Sequence, residues 1–259
     1  MMITMGIDIG SASSKAVILE DGERVLARQV ISLGTGTSGP ARVYESALAE
    51  PGLSRSDIAH LTVTGYGRMN FPHADSQVSE VTCHGRGMAF LLPGVQTVID
   101  IGGQDAKALR ISPQGTLSNS VMNDKCAAGT GRFLEVMARV LDVPIEQLGE
   151  MSAQSSCPVS ISNVCTVFAE SEVISHLSAN VALCDIIEGI HVSVARRVAS
   201  LAMRVGVADD VAMSGGVALN SGVVRAMAAE LKRPVRVHPD AQLAGAYGAA
   251  LIACQKALA

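Results

Sequence analysis

The 259 residues are 48% hydrophobic and only 17% charged, with a net charge of −4, 25 glycines, 3% aromatics and no Trp. That balance argues against a polyanion as the main partner, and the scarcity of aromatics argues against stacking on bases or sugars, so no nucleic-acid role is expected. No apolar run approaches the roughly 18 residues a membrane span needs. The start, Met1 to Asp8, has no basic segment before its first acid and does not read as a signal peptide. Six cysteines without a CxxC pair suit a reducing cytoplasm, the expected location.

The chain opens on Gly6-Ile7-Asp8-Ile9-Gly10-Ser11-Ala12-Ser13-Ser14-Lys15, a short apolar strand, an acid, a hydroxyl-rich Gly turn and a second strand. Residues 23–31 continue as a third strand, and 40–50 as a helix. A strand near 59–64 and a helix over 79–91 complete the first half. The opening pattern then returns as Ile99-Asp100-Ile101-Gly102-Gly103-Gln104-Asp105-Ala106-Lys107, with Asp8/Asp100, Gly10/Gly102 and Lys15/Lys107 each 92 residues apart. A strand meander therefore opens each of two similar halves.

In the second half, helices are expected at 129–141, 169–178, 185–206 and 218–231, with strands near 210–214 and 234–237. Residues Ile186, Ile190, Val194, Val198, Leu201 and Val205 keep helical spacing through the longest of these. A last helix runs from about 242. The expected organisation is two α/β domains facing each other across a cleft: residues 1–94 plus about 242–259, and 95–241, with the boundary near Pro93-Gly94.

Paired turns of this kind suit phosphate. Backbone N–H groups of the Asp8 turn (Ser11, Ala12, Ser13, Ser14), its hydroxyls and Lys15 offer donors, and Gly102, Gly103 and Gln104 repeat the offer. Asp8 and Asp100 suit Mg²⁺ held through water. Gly215-Gly216, after an apolar strand, lets backbone approach a nucleoside, with Asn220 and Gln242 nearby. The small residues from Gly245 to Ala250 read either as a nucleotide contact or as close helix packing. Neither a Walker motif nor a dinucleotide GxGxxG occurs.

Cys126 and Cys165 each precede a helical stretch, where N–H groups favour thiolate. Two thiols are half of a four-thiolate iron–sulfur site, which a symmetric dimer completes on its axis. Burial as small apolar side chains is the alternative. Packing or an idle thiol is the reading for Cys83, Cys157, Cys184 and Cys254, and a satisfied role for His84, His176 and His191. Arg196-Arg197 reads as a solvated helix face, with contact to a partner protein as the alternative.

The paired turns resemble the acetate and sugar kinase, heat-shock chaperone and actin superfamily, which implies two duplicated actin-like (ribonuclease H-like) α/β domains around an ATP cleft. More closely, the stretches Gly34–Pro40, Thr64–Arg68, Ile99–Lys107, Met122–Phe133 and Cys165–Leu177 resemble the activators (component A, the ATP-dependent initiator) of 2-hydroxyacyl-CoA dehydratases, such as those for 2-hydroxyglutaryl-CoA and 2-hydroxyisocaproyl-CoA. This resemblance implies an oxygen-sensitive homodimer of anaerobic amino-acid fermentation that hydrolyses ATP to ADP with Mg²⁺. It implies one 4Fe-4S cluster per dimer on Cys126 and Cys165, whose electron passes to a separate dehydratase (component D) and is replaced by ferredoxin or flavodoxin. ATP use then changes the angle between the domains and between the cluster-facing helices. Gln104 or Asp105 is expected to orient the attacking water beside Asp8 and Asp100, and Gly129 joins the cofactor-binding set. The ATPase subunit of a benzoyl-CoA reductase-type complex is a related reading. A small-molecule kinase needs an acceptor pocket that no insertion builds and leaves the two cysteines unexplained, and a purely regulatory ATP-binding switch is the last alternative.

Overall fold

A computed structural model describes residues 1–259. Its contacts divide the chain into two units: Met1–Gln96 with Ile111–Ser118 and His238–Ala259, and Thr97–Arg110 with Asn119–Val237. No helix is long and apolar enough to cross a membrane.

In the first unit, β1 (Ile3–Ile9), β2 (Ser14–Glu20), β3 (Arg24–Ile31), β4 (His60–Thr64) and β5 (Ser76–Gln77) form one sheet in the order β3-β2-β1-β4-β5. β1 pairs antiparallel with β2 and parallel with β4. Side chains alternate across a strand. Thus Ile3, Met5, Ile7 and Ile9 join Ala16 and Ile18 in a core with Val43 and Ala47 of α1 (Gly39–Ala49). Val17 and Leu19 face the other way, into a cluster with Ala246, Tyr247 and Ala250 of α8 (Ala244–Leu258). α8 also packs on α2 (Glu80–Leu91). The approach there is very close: a Cβ on Gly248 would lie 1.8 Å from the Cys83 carbonyl oxygen. Close packing thus accounts for the small residues of 245–250.

The second sheet repeats the plan and lies in the second unit apart from Ile111, Leu117 and Ser118, which are counted with the first. β6 (Thr97–Ile101), β7 (Ala106–Ile111), β8 (Leu117–Asn123), β9 (Val211–Ser214) and β10 (Val235–Val237) lie in the order β10-β9-β6-β7-β8. Read from β8, this is the strand order of the first sheet, with β6 antiparallel to β7 and parallel to β9. The helices are α3 (Gly131–Leu141), α4 (Leu148–Ser152), α5 (Thr166–Ser178), α6 (Leu183–Met203) and α7 (Ser221–Leu231). Ile186, Ile190, Val194 and Val198 are buried as the helical spacing requires.

Several boundaries differ from expectation. α5 starts at Thr166 rather than 169, because Cys165 itself is extended and caps the helix. α3 starts at Gly131, since Gly129 has positive φ and Thr130 is extended. α7 starts at Ser221 because the Asn220 side chain accepts from the N–H groups of Gly222 and Val223. α6 ends at Met203, short of Val205. The single-turn α4 and the two-residue β5 carry too little periodicity to be expected.

Candidate functional site

The first turn is built by β1 and β2. Their register puts Asp8 opposite Lys15, and the two side chains pair at 3.1 Å with both nearly buried. Gly10 N–H closes the turn on the Ser13 carbonyl at 3.0 Å, and Thr35 N–H reaches the Gly10 carbonyl at 2.9 Å. Ser14 is buried and its hydroxyl donates to the Leu33 carbonyl. That leaves the half-buried Ser11 and Ser13 as the hydroxyls at the turn surface, with Ala12 exposed between them.

The second turn repeats the acid–lysine pair and the N–H closure of the first. Asp100 faces Lys107 across β6 and β7, and they pair at 3.2 Å, with Asp105 adding a 2.7 Å contact to Lys107. Gly102 N–H closes on the Asp105 carbonyl at 2.9 Å. Gly103 is half-buried and Gln104 exposed at the tip. Each buried acid is also backed by a glycine of positive φ after the neighbouring parallel strand. A Cβ on Gly65 would lie 2.4 Å from Asp8 Oδ1, and one on Gly215 would lie 2.9 Å from Asp100 Oδ1. Ser214 completes the second version by donating to Asp100 Oδ1 at 2.8 Å. The duplication thus extends to a third strand of each unit, where the two sequences, Thr64-Gly65 and Ser214-Gly215, give almost no signal.

Of the residues assigned to the nucleoside side, Gly216 is exposed at the start of a short 3-10 turn, and Gln242 is half-buried just before α8. Asn220 is engaged within its own unit. It caps α7, and its amide nitrogen lies 3.2 Å from His191 Nε2. His191 is fully buried, with Nδ1 3.1 Å from the Ser152 hydroxyl, which also takes a bond from Arg225. Burial holds the His191 imidazole below its usual range and hence neutral. Sequence reasoning treated His191 as satisfied but gave no sign of this network.

Cys126 and Cys165 both lie in the second unit and both are half-buried. Cys165 is the cap residue of α5, and its carbonyl accepts from Ala169 N–H at 3.1 Å. Around it Val164, Val167 and Phe168 are 67%, 65% and 64% exposed, a local apolar patch. Cys126 sits in a loop five residues ahead of α3, so it lacks the direct helix N-terminus expected for it. Its carbonyl accepts from the Asn123 amide at 3.1 Å instead.

Arg197, expected to face solvent, is half-buried. It donates from Nη1 to the Asn163 carbonyl at 2.7 Å and the Val164 carbonyl at 3.4 Å. Its stem lies against Gly129 of the Cys126 loop. One side chain therefore touches both cysteine loops. No cluster of three or more His, Cys, Asp or Glu side chains gathers within the chain to hold a metal ion. Cys126 and Cys165 are two soft donors on loops that both touch Arg197. The other thiols differ in kind: burial pushes Cys83 up to about 12 and also raises Cys254, which favours the thiol over the thiolate in both.

Two sheets of one strand order, each with a buried acid–lysine turn, define a duplicated α/β fold of the actin-like class. Residues 5–253 match the BadF/BadG/BcrA/BcrD ATPase family, and the chain belongs to it. It is 57% identical to the activator of the 2-hydroxyisocaproyl-CoA dehydratase from Clostridium difficile, solved with bound ADPNP, over 99% of this chain and 96% of that one, with a TM-score of 0.96. It is 51% identical to component A of the (R)-2-hydroxyglutaryl-CoA dehydratase from Acidaminococcus fermentans, covering all of both chains at a TM-score of 0.97. A ROK family glucokinase from Streptomyces griseus shares the fold at 15% identity and a TM-score of 0.59, over 98% of this chain and 99% of that one. The resemblance seen in the cysteine and glycine stretches is borne out.

Proposed function

We propose that this chain is an ATP-dependent one-electron donor that activates a 2-hydroxyacyl-CoA dehydratase, and that it works as a homodimer. The observation that carries the reading is the pair of half-buried thiols whose loops meet on Arg197. A sugar kinase of the same fold has no use for such a pair. Four thiolates from two copies would hold one 4Fe-4S cluster, which supplies a low-potential single electron. Cys126 and Cys165 are its ligands in each chain, and the exposed apolar side chains beside Cys165 shield it from water in the dimer.

The two Gly turns bind ATP phosphates through their N–H groups, Ser11, Ser13, Gly103 and Gln104. Asp8 and Asp100 take water-bound Mg²⁺, each held in place by its lysine. Gln104 or Asp105 orients the attacking water. Gln104 is the more accessible of the two, since Asp105 also pairs with Lys107. Gly129, Gly215, Gly216 and Gln242 are assigned to the nucleoside side, with Asn220 supporting from its cap position. A ferredoxin or flavodoxin replaces the electron, and exposure to oxygen destroys the site.

The test is iron content after anaerobic preparation. About four irons per dimer are expected, lost in Cys126→Ala and in Cys165→Ala and kept in Cys254→Ala. Full iron in either of the first two variants would overturn the assignment.

A further inference from the structure

The segment 155–164 leads to Cys165 with no regular secondary structure, yet it is tied down along its whole length by one face of α6. Asp185 accepts from the Ser155 hydroxyl at 2.7 Å and from the N–H groups of Ser156 and Cys157 at 2.9 Å each. These bonds hold the Asp185 carboxyl below its usual range. At Gly189 the backbone closes in, where a Cβ would lie 2.4 Å from the Val159 carbonyl oxygen. Ser193 donates to the Ser162 carbonyl at 3.0 Å. Arg197 donates to the Asn163 and Val164 carbonyls. The four contact residues are spaced four apart, so they form a single row on α6, about 18 Å long.

The row ends where the two cysteine loops meet. A Cβ on Gly129, three residues after Cys126, would lie 3.1 Å from Arg197 Cδ and 3.3 Å from Val198 Cγ2. The Arg197 stem therefore braces one loop while its guanidinium holds the other.

We infer that the α6 row Asp185, Gly189, Ser193 and Arg197 is a rail that fixes where Cys165 sits relative to Cys126, with Arg197 as the positioning residue for both thiols. The inference rests on the cluster reading above and adds the part of the chain that shapes the site. A carbonyl engaged by Arg197 cannot turn toward the thiol, and a loop held on both sides keeps its cysteine oriented before any iron arrives. Residues that act in this way around a metal site commonly change its retention by about 10- to 100-fold when removed.

The test compares the wild-type homodimer with Arg197→Met, which keeps the stem against Gly129 and removes the guanidinium, and with Arg197→Lys, which restores one charged donor. Reconstituted with iron and sulfide, Arg197→Met is expected to lose iron to bathophenanthroline disulfonate about tenfold faster than wild type, with Arg197→Lys intermediate. In the iron-free chain, iodoacetamide followed by peptide mass spectrometry should show Cys165 alkylated about tenfold faster in Arg197→Met, with Cys126 and Cys157 unchanged. Wild-type rates for both iron loss and Cys165 alkylation overturn the inference. A wild-type protein that binds no iron overturns the cluster reading instead, and the alkylation rates then decide the rail alone. Should Arg197→Met not fold, Ser193→Ala removes one hydroxyl bond from the same row and takes the same two measurements.

Discussion

Replacing Lys15 with Met keeps the aliphatic stem and removes the cation from a carboxylate that is only 4% exposed. At 3.1 Å, and with an effective dielectric of about 20, the direct attraction lost is about 5 kcal/mol. Breaking such a pair from one side costs roughly 3–5 kcal/mol. The loss has a ceiling, because a stranded buried carboxylate can shed its charge by taking up a proton. For an ordinary carboxylic acid that costs about 4 kcal/mol at pH 7 and about 1.5 kcal/mol at pH 5. Urea denaturation should therefore show Lys15→Met destabilised by roughly 3–4 kcal/mol at pH 7 and by less than half of that at pH 5. The double variant with Asp8→Asn should recover most of the loss, since no unpaired charge remains buried. ATP hydrolysis and dehydratase activation should be lost in both while iron is retained. A Lys15→Met protein with the same stability deficit at both pH values would refute the argument, for the cost would then come from packing rather than charge.

Gln104→Ala should change stability by less than about 0.5 kcal/mol, because the side chain is exposed, yet slow ATP hydrolysis about 100-fold with iron content unchanged; normal hydrolysis would remove Gln104 from the water-orienting role and leave Asp105. His191 gives a pH signature. Its folded value lies below the unfolded one, so its contribution is fully present above about 6.5 and is lost as pH falls from there toward the folded value. Thermal melts should show this decline in the wild type and its absence in His191→Gln, and parallel curves for the two would refute it.

The sequence made the fold legible where a pattern is repeated. The offset of 92 between Asp8 and Asp100 predicts two equivalent turns, and both ion pairs, both N–H closures and both strand orders follow it. The third pair of strands is equally duplicated in space. Its side chains at the turn, Thr64 and Ser214, play different parts, however: Thr64 bonds to the Val78 carbonyl and Ser214 to the acid. Only the glycine behind each acid is common to both, and a lone glycine is a weak word. The cysteines were legible through the stretches around them, not through spacing. What escaped was every role that depends on where a loop lies against a helix. Arg197 and Asp185 look like ordinary exposed and first-turn charges in sequence. Only the path of residues 155–164 along α6 makes them partners of backbone atoms far away in the chain. Ser14 shows the same limit from the other side: the sequence places its hydroxyl in the phosphate-like turn, and the structure has that hydroxyl donating inward to the Leu33 carbonyl.

The α8 helix has a consequence for how the protein must be made. Residues 244–258 cover Val17 and Leu19, residues that leave the ribosome more than two hundred positions earlier. Until the final helix emerges, the first sheet has one finished face, under α1, and one bare apolar face beside α2. The second unit, by contrast, has all its strands and helices once residue 237 has been synthesised. The later-encoded unit can therefore complete its core first, while the earlier one waits in a partly assembled form that invites chaperone binding or aggregation. Stalled or truncated translation products lacking α8 would carry a nearly complete second unit on an unfinished first one.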